Sequence, residues 1–194
     1  MELGEGIILT GRKDRIMNDK IQDIIYIKSE SNKCRYALGI RGRKPLIFFG
    51  INPSTATPDG YDQTMKKAKG FACKNNFDSW IMLNIYPQRA INPDSLDNKK
   101  DEKNHKDNLE IIKKIINKKA TIVTTWGDLI NEREYLILCL KDIIKILKNK
   151  NIKWFCIGKL SNIGNPRHIL RLGYEEKLIK FDIENYIKKI IDKR

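Results

Sequence analysis

What most constrains this chain is the alternation of two patterns. Short apolar runs, suited to strands covered on both faces, take turns with longer stretches whose apolar residues recur at helical spacing. Pro45-Leu46-Ile47-Phe48-Phe49-Gly50 is the clearest run, continuous and closed by glycine, as a strand between two helical layers requires. Residues 62–75 follow with Met65, Ala68 and Ala72 on one helical face and Asp62 placed to cap. Residues 79–85 repeat the strand pattern. Residues 101–119 repeat the helical one, with Leu109, Ile112 and Ile116 on a stripe, acids in the first turns and lysines at the end, as the helix dipole favours. Residues 120–124, 132–150 and 152–158 continue as strand, helix and strand. A strand near 177–181 and a helix from Asp182 close the chain. Ahead of this series, residues 24–28 and 34–40 flank the turn-prone Ser29-Glu30-Ser31-Asn32-Lys33 and read as a β-hairpin. The expected fold is α/β: a three-layer α/β/α sandwich with a mostly parallel central sheet, preceded by that hairpin. Residues 21–194 read as one domain, and the polar, aperiodic residues 1–20 as a loosely held arm.

Composition narrows the function classes. With 41% hydrophobic residues among 194, the chain has enough apolar surface to offset its ordering entropy, so disorder is excluded as its main state. No apolar run approaches the ~20 residues needed to cross a bilayer, and Met1-Glu2-Leu3-Gly4-Glu5 lacks the basic start and apolar core of a secretory signal. The expectation is a cytoplasmic protein without membrane association. Lys and Arg number 38 against 24 acids, a net charge of +14, which favours an anionic partner, nucleic acid first. The excess is mostly Lys, 28 against 10 Arg, and forms no block, a pattern that codon bias in an AT-rich genome also produces. Cys34, Cys73, Cys139 and Cys156 form no Cys-x-x-Cys pair, which argues against a zinc knuckle. Packed, reduced thiols are the leading reading, an iron–sulfur cluster the lesser one, and no metal or cofactor is expected.

In α/β sheets ligands bind beyond the carboxyl ends of the strands. The four apolar runs are followed by Gly50-Ile51-Asn52-Pro53-Ser54-Thr55-Ala56, by Asn84-Ile85-Tyr86-Pro87-Gln88-Arg89, by Trp126-Gly127-Asp128, and by a segment ending in Asn165-Pro166-Arg167-His168. Amides, hydroxyls, Pro and Arg recur at each exit, and a parallel sheet brings all four to one crevice. Each has a plainer reading. Asn52 to Thr55 suits a turn and cap, Asp62 a helix cap, Arg89 a salt bridge, and Asn165-Pro166 a loop.

Asn52-Pro53-Ser54-Thr55-Ala56, Asp62-Gln63-Thr64, Gly70-Phe71-Ala72, Asn84-Ile85-Tyr86 with Arg89, Trp126-Gly127 and Pro166-Arg167-His168 together resemble the signature of a bacterial family numbered 1643 among the domains of unknown function. The likeness covers roughly residues 35–170. Gly50-Ile51-Asn52-Pro53 is also similar to the first motif of mismatch-specific uracil/thymine DNA glycosylases, in which the Asn orients an attacking water. Leu83-Asn84 with Pro87, Arg89, Asn92 and Pro93 resembles the uracil-DNA glycosylase motif whose Asn reads the base edge. Asn165-Pro166-Arg167 stands where that superfamily carries a His-Pro-Ser or Asn-Pro-Ser loop that grips the strand. The chain departs from those enzymes in Ser54 for Gly, in Arg167 for the loop Ser, and in having no aromatic directly after Pro53. The resemblance implies a uracil-DNA-glycosylase-like fold.

The chemistry suits these residue types. Breaking an N-glycosidic bond builds positive charge on the sugar and negative charge on the base, met by a held water or carboxylate and by fixed donors. Asn52 is expected to position water, and His168, with Arg167, to neutralise phosphate or the departing base. Asn84 offers a neutral donor and acceptor to a base edge. Ser54, Thr55, Asp62, Arg89, Asn165 and Arg167 complete the expected substrate contacts, with Tyr61, Phe71 and Tyr86 as stacking platforms for a flipped base. The expected function is hydrolysis of the N-glycosidic bond of a modified base in DNA. The alternatives are a non-catalytic nucleic-acid or modified-nucleotide binding module, and an enzyme of free nucleosides or nucleotides.

Overall fold

A computed structural model of the chain describes residues 6–9 and 23–192. Eight strands form one sheet: β1 (Ile7–Leu9), β2 (Asp23–Ser29), β3 (Arg35–Arg41), β4 (Pro45–Gly50), β5 (Ser79–Asn84), β6 (Thr121–Thr124), β7 (Lys153–Ile157) and β8 (Leu178–Lys180). The helices are α1 (Gln63–Lys74), α2 (Glu102–Ile115), α3 (Glu134–Leu147) and α4 (Ile183–Asp192). Most of the expected arm, residues 1–20, lies outside the described residues; within it, Ile7–Leu9 pairs with β2.

The strands lie in the order β1-β2-β3-β5-β4-β6-β7-β8. The expectation of a mostly parallel sheet is corrected here. Four of the seven pairings are antiparallel, and parallel pairing is confined to β5, β4, β6 and β7. The reason lies in the connections. Parallel neighbours need a long crossover, which α1, α2 and α3 supply, whereas β2 and β3 are joined by a short reversing turn closed by the Ser29 N–H on the Cys34 carbonyl. The hairpin therefore does not precede the sheet but extends it, with β3 antiparallel against β5.

Helices cover both faces, which is why β4 is apolar at every position. Leu46 and Phe48 join a core with Met65, Ala68, Phe71 and Ala72 of α1. Ile47 and Phe49, pointing the other way, join a core with α2, α3 and α4. Asp62 caps α1 by accepting from the Met65 N–H at 2.9 Å, and Asp101 caps α2 through the Asn104 N–H at 2.8 Å. Both starts are thus local consequences of a carboxylate one residue ahead of the helix. The thiols of Cys34, Cys139 and Cys156 are buried and Cys73 is exposed. No helix among the described residues is long and apolar enough to cross a membrane.

Candidate active site

After β4 the chain turns to α1 on one face of the sheet, and after β6 it turns to α3 on the other. Diverging exits of this kind open a crevice between neighbouring strand ends. A cavity of about 410 Å³ lies there. Its floor is the end of β4 and β5, one wall is the loop after β4, another is the start of α1, and Trp126, Leu129, His168 and Leu170 close the far side.

Three carboxamide residues line this space, Asn52, Gln63 and Asn84, and two of them come from strand ends. Asn52 donates both N–H bonds of its amide to backbone, to the Pro53 carbonyl at 3.1 Å and the Ala90 carbonyl at 2.9 Å. Its Oδ1 makes no hydrogen bond among the described residues and is left as an acceptor. Asn84 is 2% exposed, and its Nδ2 is buried with no hydrogen-bond partner. A buried donor without a partner is costly, so its presence on a cavity wall marks a place where a ligand acceptor fits. Gly50 makes the space: in register with Asn84, it has no Cβ, and one built there would stand 3.2 Å from Asn84 Oδ1.

The walls are stitched rather than loose. Tyr86 N–H bonds Ile51 carbonyl and Ala90 N–H bonds Pro53 carbonyl, each at 2.9 Å. Arg89, half-buried, donates to the Ser54 carbonyl and to the Tyr26 hydroxyl. Asn108 of α2 reaches the carbonyls of Asn84 and Ile85 at 3.0 and 3.2 Å. Loops 51–56 and 85–90 are therefore held before any ligand arrives.

His168 faces the cavity from the loop after β7. Its Nδ1 accepts from the Leu170 N–H at 3.4 Å, which puts the proton of the neutral ring on Nε2. Burial, with Arg171 nearby, pushes its pKa below 6.5, while Asp62 pulls the other way. The ring is a neutral N–H donor at neutral pH. Gly127, at φ +68°, lets its loop come close: a Cβ there would meet His168 Cβ at 3.3 Å. Asp62 caps α1 with Oδ1 and also lines the cavity.

Of the residues singled out from sequence, Asn52, Ser54, Asp62, Asn84 and His168 line this one cavity. Thr55 and Arg89 line a shallower depression on the other side of loop 52–57, which Ser54 shares. Arg167 lies on an adjoining groove of about 740 Å³ with Lys159 and Arg171. It also donates to the Arg171 carbonyl at 3.2 Å and stands 3.6 Å from Glu176. Asn165 is fully engaged elsewhere. Its amide donates to Asp128 at 2.9 Å and accepts from the Tyr186 hydroxyl at 2.8 Å, and that hydroxyl takes the Trp126 indole N–H at 3.1 Å. The expected aromatic platforms also lie apart from the cavity. Phe71 is in the core against Tyr174, Tyr86 packs edge-on against Tyr135, and Tyr61 packs edge-on against Trp80. The aromatic ring that does line the cavity is Trp126.

Sequence reasoning passed over Arg35. It is 1% exposed, lines the cavity, and gives one Nη1–H to the Ala56 carbonyl at 3.0 Å. Its Nε has no partner, and it makes no ion pair with a described residue. Burial and neighbouring Arg89 lower its pKa to about 10. The available signal was a charged residue beside the apolar run Tyr36-Ala37-Leu38-Gly39-Ile40 of β3.

Fold and site together define an α/β domain with a preformed, amide-lined pocket at its strand ends. The chain belongs to the family described as "Protein of unknown function (DUF1643)", which it matches over residues 35–170. No curated protein and no solved structure matches it.

Proposed function

We propose that this protein hydrolyses the N-glycosidic bond of a modified base in DNA, on a fold akin to that of the uracil-DNA glycosylases. The observation that carries this reading is the pairing of Asn52 and Asn84 in one cavity, with a free acceptor on the first and an unsatisfied donor on the second. In this reading Asn52 Oδ1 holds a water against C1′ of the sugar. The water oxygen bonds C1′, the C1′–N electron pair leaves with the base, and the water's proton passes to Asp62. Asn84 Nδ2 bonds an acceptor on the base edge. The Nε2–H of His168 meets the negative charge that develops on the departing base, where a fixed donor is worth most.

Trp126, Leu129, His168 and Leu170 are shared between the cavity and the groove that carries Lys159, Arg167 and Arg171. With three cations against Asp128 and Glu132, that flank suits a phosphate backbone leading into the pocket. The volume of the cavity falls within the range of about 300–1,000 Å³ usual for small-molecule sites. The resemblance of residues 50–53 and 83–93 to glycosylase motifs supports the same reading. The test offers the purified protein duplexes bearing uracil, mismatched thymine or phage-type modified pyrimidines and measures abasic sites by alkaline cleavage. Abasic sites are expected on at least one, with N52A slower by about a hundredfold, the loss that misplacing a reactant brings. No abasic site on any duplex would count decisively against base excision from DNA. A free nucleotide as substrate is the second reading, favoured by the enclosed position of Arg35.

A further inference from the structure

Base excision leaves Arg35 unused, and Arg35 is the least compensated group in the molecule's described interior. A buried charge without an ion-pair partner is strongly destabilising, yet among the described residues this one sits in the cavity wall with Nε unpartnered and its guanidinium bonded to a single carbonyl. Two further groups of donors belong to residues that line the same space. Asn84 Nδ2 is buried and unpaired. The twelve-residue α1 begins here, with Gln63 and Thr64 on the cavity wall, and its cap satisfies only the Met65 N–H. The remaining first-turn N–H groups and the positive end of the helix dipole are therefore directed at the pocket. The opposing charge is Asp62, which acts on Arg35 through space without forming an ion pair.

We infer that Arg35, Asn84 and the first turn of α1 form an anion subsite that receives an oxyanion group of the ligand, a phosphate or a carboxylate. A guanidinium with free N–H groups matches either through paired, charge-assisted hydrogen bonds. A phosphate would belong to the sugar of a free nucleotide, a carboxylate to a modified base. The subsite needs no bond to break, so it stands or falls apart from the cleavage chemistry.

The test is calorimetric titration of the full chain with three probes: 2′-deoxyuridine, 2′-deoxyuridine 5′-monophosphate and 5-carboxy-2′-deoxyuridine. At least one charged probe is expected to bind about tenfold tighter than the neutral nucleoside, a difference of about 1.4 kcal/mol. Which of the two does so identifies the source of the charge. The preference is expected to vanish in R35M, and unliganded R35M is expected to melt no lower than the wild type. Should R35M not fold, R35K replaces it: the ammonium keeps the charge but loses the fork, and the preference is expected to shrink severalfold. Equal binding of neutral and charged probes by the wild type, no binding of any probe at millimolar concentration, or a charge preference that survives the Arg35 substitution would overturn the inference.

Discussion

Asn165 supports a sharp prediction because every polar atom of its side chain is already employed within the protein. N165A removes a hydrogen bond to a carboxylate, Asp128 at 2.9 Å, and one from a neutral hydroxyl, Tyr186 at 2.8 Å. A bond to a charged group is worth about 1.5–3 kcal/mol and a neutral one about 1. Asp128 keeps the Ser161 hydroxyl at 2.6 Å, so the carboxylate is not stranded and the lower end of that range applies. The expected loss is about 2.5 kcal/mol, which at a slope of roughly 2–3 kcal/mol/M lowers the urea midpoint by about 1 M. Equilibrium unfolding followed by tryptophan fluorescence measures it, and Trp126 reports directly because its indole bonds the same Tyr186 hydroxyl. Y186F is expected to cost a similar amount, and the double variant less than the sum of the two singles. A change below about 0.5 kcal/mol, the range of ordinary surface substitutions, would refute the brace and return Asn165 to the set of ligand contacts.

Two further outcomes follow from the site. G50A places a methyl 3.2 Å from Asn84 Oδ1; overpacking of this kind costs about 1 kcal/mol, and calorimetry should show nucleoside probes binding about tenfold more weakly to a folded protein. For His168 the folded pKa lies below 6.5, so the unfolded chain binds more protons as the pH drops. The wild type should lose stability as pH falls below 6.5 towards the folded value, and H168Q should lose less over the same interval when urea midpoints are compared down to about pH 5. Parallel curves for the two proteins would show that the imidazole is not held neutral by the fold.

Much of the fold was legible because each element announces itself locally. The hairpin, the continuous β4 and the Asp62 cap need no knowledge of the rest of the chain. Sheet order was less legible, since nothing in residues 23–41 states that β3 will lie along β5. That gap hid Arg35. A search of residues following strands finds Asn52, Asn84 and His168, which line the pocket. But β3 runs antiparallel to β5, so its beginning, not its end, lies beside the exits of β4 and β5. Phe71 and Tyr86 illustrate the converse. Both stand close in sequence to site motifs, yet helical periodicity turns Phe71 into one core, and the bend after β5 turns Tyr86 into the other, against Tyr135.

The Tyr186 hydroxyl couples α4 to the far side of the pocket. It is the partner of both Trp126, which lines the cavity, and Asn165, three residues before His168. One atom thus ties together two loops that are far apart in the chain, and a change that shifts α4 is felt by Trp126 and by the loop bearing His168 at once.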